Sequence, residues 1–149
     1  MRRTQLSLPP RVKVLEALGA VAGDRVTGIS ETGCKVAASE GDRVYTVRVD
    51  LNTGEVFSDD NGTVYRNYVG YPVIAFLMVR GILPYNERIA NPLKGIRWRT
   101  LNERLRSYKL VEREVANLLK GHDISWSEVE RFAEDVLSKL GGLQLWKRP

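Results

Sequence analysis

The sequence predicts an α+β fold: an N-terminal helix and a four-stranded antiparallel sheet, followed by a mostly helical C-terminal half. Three observations carry this. Residues 24–62 are rich in Val and Thr and are punctuated by turn-forming glycines. Residues 68–80 are apolar almost all round, the pattern of a buried helix. Residues 100–140 contain two capping-box spacings, Thr100 with Glu103 and Ser125 with Glu128, each ahead of helical apolar periodicity.

The elements follow in chain order. Pro9 and Pro10 precede a segment in which Val12, Leu15, Ala17, Leu18 and Val21 share one helical face, with Gly23 past its end. Strands are expected near 25–30, 33–39, 43–50 and 55–58. In RVYTVRVD, Tyr45, Val47, Val49 and Leu51 form an apolar face alternating with a mixed one, as in an antiparallel sheet covered on one side. Asp50 to Glu55 (DLNTGE) reads as a hairpin turn, with Gly54 suited to positive φ. The order helix, strands and V-x-V-D-x-x-T-G-E-V hairpin resembles PepSY-type domains over roughly residues 11–58. The resemblance implies a helix followed by an antiparallel sheet, and no function is carried over from it.

In the second half, Tyr68 to Arg80 reads as a central helix beginning near Tyr71 and closed by Gly81. A two-proline connector leads to a helix from about Thr100 to Lys120, closed by Gly121. A last helix places Val129, Phe132, Ala133, Val136, Leu137 and Leu140 on one face. Leu143, Leu145 and Trp146 in the tail should dock back onto the body. The 149 residues form one domain, with residues 1–62 a helix-and-sheet part and 63–149 a helical part.

The single cysteine, Cys34, excludes a disulfide framework within the chain and suits a reducing compartment. The most apolar run, residues 68–83, contains Arg80 and is too short to span a bilayer, so no membrane partner is expected. A cytoplasmic protein is the expectation, and the arginine-rich, glutamine-poor composition is compatible with a thermophilic source.

Catalytic and metal chemistry find little support. One histidine, His122, and one cysteine rule out a His/Cys zinc site within the chain. Residues 50–61 fail as a calcium loop, because Gly54 falls at the fifth position and Asn61 stands where a bidentate Glu belongs. Glu55, Asp59 and Asp60 remain either three surface acids beside a turn or a carboxylate magnesium site. Cys34 falls in an expected strand, where packing is its ordinary role. His122 follows Gly121 and suits a helix C-terminus better than general-base duty. Phosphate-loop motifs are absent, and no cofactor is expected. The pair of helices around residues 111–137 could be read as helix-turn-helix, but its second helix is as acidic as it is basic, which would repel phosphates.

Charge is the remaining signal. The chain carries +5 overall, and residues 93–109 alone hold six basic residues against one acid. Residues 1–13 add four basic residues and no acid, whereas residues 14–63 hold nine acids and four basic residues. On a wheel for residues 101–120 with Leu101 at zero, Arg106, Lys109, Arg113 and Lys120 fall together at about 80–140°. Leu101, Leu105, Tyr108, Val111, Val115, Ala116, Leu118 and Leu119 fall on the core side, whereas Leu110 points outward and Glu112 inward, a misfit that a helix break near Tyr108 to Leu110 would explain. Trp98 reads as a core anchor between Arg97 and Arg99. The expected function is non-catalytic binding of DNA or RNA, with Lys94, Arg97, Arg99, Arg106, Lys109 and Arg113 on phosphates and a basic N-terminal arm assisting. The alternative is a protein–protein or homodimerisation module using strand edges or part of the Tyr68–Leu83 segment, with charge serving solubility.

Overall fold

The computed structural model describes residues 3–149. The chain begins with β1 (Thr4–Gln5), α1 (Val12–Ala22), β2 (Val26–Thr27), β3 (Gly33–Ala37), β4 (Val44–Asp50) and β5 (Glu55–Ser58). Helices α2 (Asn61–Tyr65), α3 (Tyr71–Val79) and α4 (Glu87–Ala90) follow, then a 3-10 turn at Asn91–Leu93. Helices α5 (Trp98–Leu105), α6 (Tyr108–Lys120) and α7 (Trp126–Gly142) lead to β6 (Trp146–Lys147). The class is α+β, as the sequence predicts. The Asp50–Glu55 hairpin is also found, with Gly54 at φ 83°.

The sheet is larger than expected. It has six strands in the order β1-β6-β5-β4-β3-β2, and β6 runs parallel to β5. The two unexpected outer strands are made by the chain's two ends: Thr4 faces Lys147 and Gln5 faces Trp146. The Trp146 amide donates to Gly54 O at 3.0 Å, and its indole donates to Thr53 O at 2.8 Å. A side chain on Gly54 would meet Gln144 O at 2.9 Å, so the turn glycine also admits the returning tail. Lys147 Nζ donates to Thr63 O and Val64 O at 2.6 and 2.8 Å, satisfying carbonyls at the end of α2.

The inner face of the sheet presents Cys34, Val36, Val47, Val49 and Val56, all buried. Helix α3 lies on β3 and β4, and α1 packs on α3 and against α4, α6 and α7. The expectation of a single buried face on α1 is corrected: Val12 and every residue from Val14 to Ala20 are buried. The helix is enclosed because it separates two layers, the sheet with α3 on one side and the later helices on the other. Gly19 permits the closest approach, since a side chain there would meet the backbone Leu93 O at 2.9 Å.

The single helix expected over 100–120 is also corrected. It is two helices, broken where Arg106 takes a left-handed φ of 54°. Ser107 Oγ then caps α6 by accepting from the Leu110 amide at 3.3 Å. Thr100 is not the cap and lies in the first turn of α5. Ser125 does cap α7, through the Glu128 amide. The Tyr68–Leu83 segment offers little apolar surface to a partner, because Val69, Val73, Ile74, Phe76, Leu77 and Met78 are all buried. The outermost strands of the sheet, β1 and β2, are only two residues each. Among the described residues, no helix is long and apolar enough to cross a membrane.

Replacing Gly19 with Ala sets two effects against each other. Helix propensity favours Ala by about 1 kcal/mol. Forcing a methyl onto a backbone oxygen costs about 1–3 kcal/mol. A net loss of about 1 kcal/mol is expected in urea unfolding of Gly19→Ala, with no loss in Gly142→Ala, where a side chain meets nothing within 4 Å.

Candidate nucleic-acid interface

The six cations singled out in the sequence occupy four settings. Lys94 ends the 3-10 turn and Arg97 caps the start of α5, and both are exposed. Arg99 stands in the first turn of α5 and donates to Asp42 Oδ2 at 2.6 Å. Arg106 sits at the break between α5 and α6. Lys109 and Arg113 lie one turn apart on α6, exposed on one flank, and Lys120 continues that flank at the helix end.

The β3–β4 hairpin decides what α5 can offer. Glu40 Oε1 accepts from the Thr100 amide at 3.0 Å and from its hydroxyl at 3.1 Å. A carboxylate on a helix N-terminus satisfies free N–H groups and the helix dipole together. Burial works against that charge, but the Thr100 amide and the Ser39 and Thr100 hydroxyls outweigh it and hold Glu40 below the ordinary carboxylate range. The hydrogen bond from Arg99 likewise lowers Asp42. The start of α5 and Arg99 therefore already have their anions, and a phosphate there would have to displace Asp42.

The remaining cations form two groups. Arg97 and Arg104 stand beside a groove of about 290 Å³ between α5 and α6, floored by Ile96, Leu101, Val115 and Leu118. Arg104 also reaches Glu114 at 3.5 Å. The second group is Arg106, Lys109 and Arg113, and among the described residues none of the three has a carboxylate oxygen within 4.0 Å. Tyr108, expected in the core, is 45% exposed between them. Lys13 Nζ lies 5.6 Å from the centre of its ring. Trp98 is buried, as expected.

The basic N-terminal arm is committed within the fold. Arg11 donates to both carboxylate oxygens of Glu112, at 2.9 and 2.7 Å, and to Glu130 at 3.0 Å. That pairing is why Glu112 turns inward on α6. Arg3 lies over the Trp146 ring at 4.4 Å, and Lys13 pairs with Glu16 at 2.8 Å. Arg2 lies outside the described residues.

The acids near the hairpin do not converge. Arg148 holds Glu55 at 2.5 Å, and Asp59 accepts from the Thr46 amide at 2.8 Å. Asp60 is buried, caps α2 through the Thr63 amide at 3.0 Å, and accepts from the Thr63 and Ser58 hydroxyls. Among the described residues, no three His, Cys, Asp or Glu side chains gather in a metal-holding group. Cys34 is buried, which pushes its thiol up to about 11 and keeps it from being a nucleophile near neutral pH. The loop containing His122 closes α6 through backbone bonds, with its amide donating to Leu119 O at 2.9 Å. No local sequence pattern points to Glu40 and Asp42, because their partners lie about 60 positions away.

Removing the Glu40 carboxylate tests its structural part. Its folded value is lowered, so its stabilisation is full above the ordinary 4.5 and fades as the pH falls below that. Glu40→Ala is expected to lose about 1 kcal/mol at pH 7 in urea unfolding. The gap from the parent chain should narrow as the pH drops toward 3. A gap that widens in acid contradicts the assignment.

No curated protein and no solved structure matches the chain. One family does, over residues 6–146, a span that takes in all seven helices, strands β2–β5 and all six cations singled out in the sequence. The chain therefore belongs to the family described as uncharacterised conserved protein UCP014422.

Proposed function

We propose that this chain binds nucleic acid without catalysing a reaction on it, through phosphate contacts that take little account of sequence. One observation carries the reading: Arg106, Lys109 and Arg113 stand together, exposed and without an ion-pair partner among the described residues, around the half-exposed ring of Tyr108. Exposed cations of this kind release counterions from a phosphate backbone, and an aromatic ring among them can stack on an unpaired base. Arginine suits the task because its planar guanidinium donates two hydrogen bonds at once. Lys94 and Arg97 extend the surface past the far end of α5. Arg99, Arg11 and Lys13 are left out of this surface, since Asp42, Glu112, Glu130 and Glu16 hold their charges.

A homodimer is the second reading. It is supported by Phe57, Val64 and Tyr65, which leave 55%, 40% and 76% of their surfaces exposed on β5 and α2.

Binding of a generic duplex and a generic single strand, measured by fluorescence anisotropy at two salt concentrations, tests the first reading. Five phosphate contacts predict a slope near −4.5 in log affinity against log salt, or on the order of 500-fold between 50 and 200 mM. Changing Arg106, Lys109 and Arg113 together to Ala should leave about two contacts and cut that loss to roughly 10-fold. The reading fails if the parent chain shows no salt-dependent binding, or if the triple variant binds like the parent. Doubling of mass with concentration in sedimentation, without nucleic-acid binding, would favour the second reading instead.

A further inference from the structure

The solvent face of the sheet carries charge and an aromatic ring outside the basic flank. Side chains alternate along each strand, so the residues beside the buried Cys34, Val36, Val47, Val49 and Val56 point outward. Lys35 on β3, Arg48 on β4 and Phe57 on β5 are outward and exposed, and Phe57 leaves 55% of its surface to solvent. The strand register orders them. Arg48 lies directly opposite Phe57 on one side and Gly33 on the other, and Lys35 is its diagonal neighbour on β3.

Lys35 and Arg48 line a hollow of about 190 Å³ together with Ser30, Thr32 and Thr46, and no acid lines it. Lys35 Nζ donates to Thr46 Oγ1 at 3.1 Å. Among the described residues, neither cation has a carboxylate oxygen within 4.0 Å. The acids of the same face have other partners: Glu55 holds Arg148, Asp59 accepts from the Thr46 amide, and Asp50 accepts from the Asn52 amide within its own turn. Like charges on neighbouring strands repel, and the hydroxyls add donors around them. The hollow is therefore complementary to an anion with several acceptor oxygens, the form of a phosphate group. Phe57 narrows the choice among phosphate-bearing ligands. It stands one strand spacing, about 4.8 Å, beyond Arg48. An exposed ring beside a phosphate contact suits an unpaired base, whose face is free to stack, and not a base enclosed in a duplex.

We infer that the solvent face of the sheet is a second nucleic-acid surface, selective for single strands, which holds a phosphate between Lys35 and Arg48 and stacks the neighbouring base on Phe57. The class of ligand rests on the nucleic-acid reading above, but the surface shares no side chain with the α6 flank.

The α6 flank is removed for the test, by changing Arg106, Lys109 and Arg113 to Ala. Binding of a labelled oligothymidine strand and of a duplex of equal length is then followed by fluorescence anisotropy across a salt series. In that chain the single strand should bind about 5-fold tighter than the duplex, or more. Adding Phe57→Ala should weaken the single strand by a similar factor and leave the duplex unchanged. Adding Arg48→Ala should lower the single-strand slope of log affinity against log salt by about 0.7. Both side chains are exposed, so the variants should fold, with circular dichroism matching the parent. The inference is overturned if the chain without the flank shows no preference for the single strand, or if Phe57→Ala and Arg48→Ala bind it as before. Either result leaves the α6 reading standing where the unmodified chain binds the duplex in a salt-dependent way. Binding of neither ligand by the unmodified chain overturns both. A doubled mass in sedimentation that Phe57→Ala abolishes, with strand binding unchanged, assigns the ring to a dimer contact and also overturns the inference.

Discussion

Helix α1 has water on almost none of its surface, and every layer of the protein is built against it. A helix enclosed this way must present small residues where neighbours come close, which Ala17, Gly19 and Ala20 do. It also carries a charged residue, Glu16, into the interior. Burial raises the Glu16 value, and the attraction of Lys13 and Arg25 only partly offsets that. Lys13 feels the converse balance: burial opposes its charge, but Glu16 more than compensates and the ammonium is held more firmly than usual. Burying an ion pair contributes little net stability, since desolvation consumes most of the Coulombic gain. The pair on α1 is better understood as fixing the polar end of an otherwise apolar layer.

From that layer outward, charge is sorted by tertiary contact and not by position in the chain. The acidic first half supplies Glu40 and Asp42 to the start of α5, and the second half supplies Glu112 and Glu130 to Arg11. A net charge of +5 thus leaves only part of its arginine and lysine uncompensated. Among the described residues, Arg106, Lys109 and Arg113 are part of that uncompensated charge. Totals alone overcount the cations that face solvent unopposed, since Arg11 and Lys13 on the N-terminal arm are held by acids.

Legibility followed the range of the forces involved. The Asp50–Glu55 hairpin, the apolar α3 and the Ser125 cap were all readable because turn chemistry, hydrophobic periodicity and capping act over a few residues. Strands β1 and β6 were not, because two residues carry no periodicity and their pairing joins positions about 140 apart. The break at Arg106 left no glycine to mark it, since an arginine takes the left-handed position. The misfit of Glu112 was a real signal with a different cause, an arginine in the N-terminal segment. Of the candidate interface, Lys109 and Arg113 were legible from helical spacing alone. The loss of Arg99 to Asp42 arises from a contact that no local pattern encodes.

The pairing of the two chain ends has a consequence for synthesis. Strand β5 is complete by residue 58, but its outer edge is covered only by Trp146, and β1 has nothing to pair with until the same tail arrives. As the chain leaves the ribosome, one side of the sheet therefore stays open through the making of nearly ninety further residues. An open edge of this kind is a template for unwanted strand pairing. The short β6, made after the other strands and held by the tryptophan, joins β1 to the sheet and acts as a closure that separates a nascent, association-prone form from the finished one.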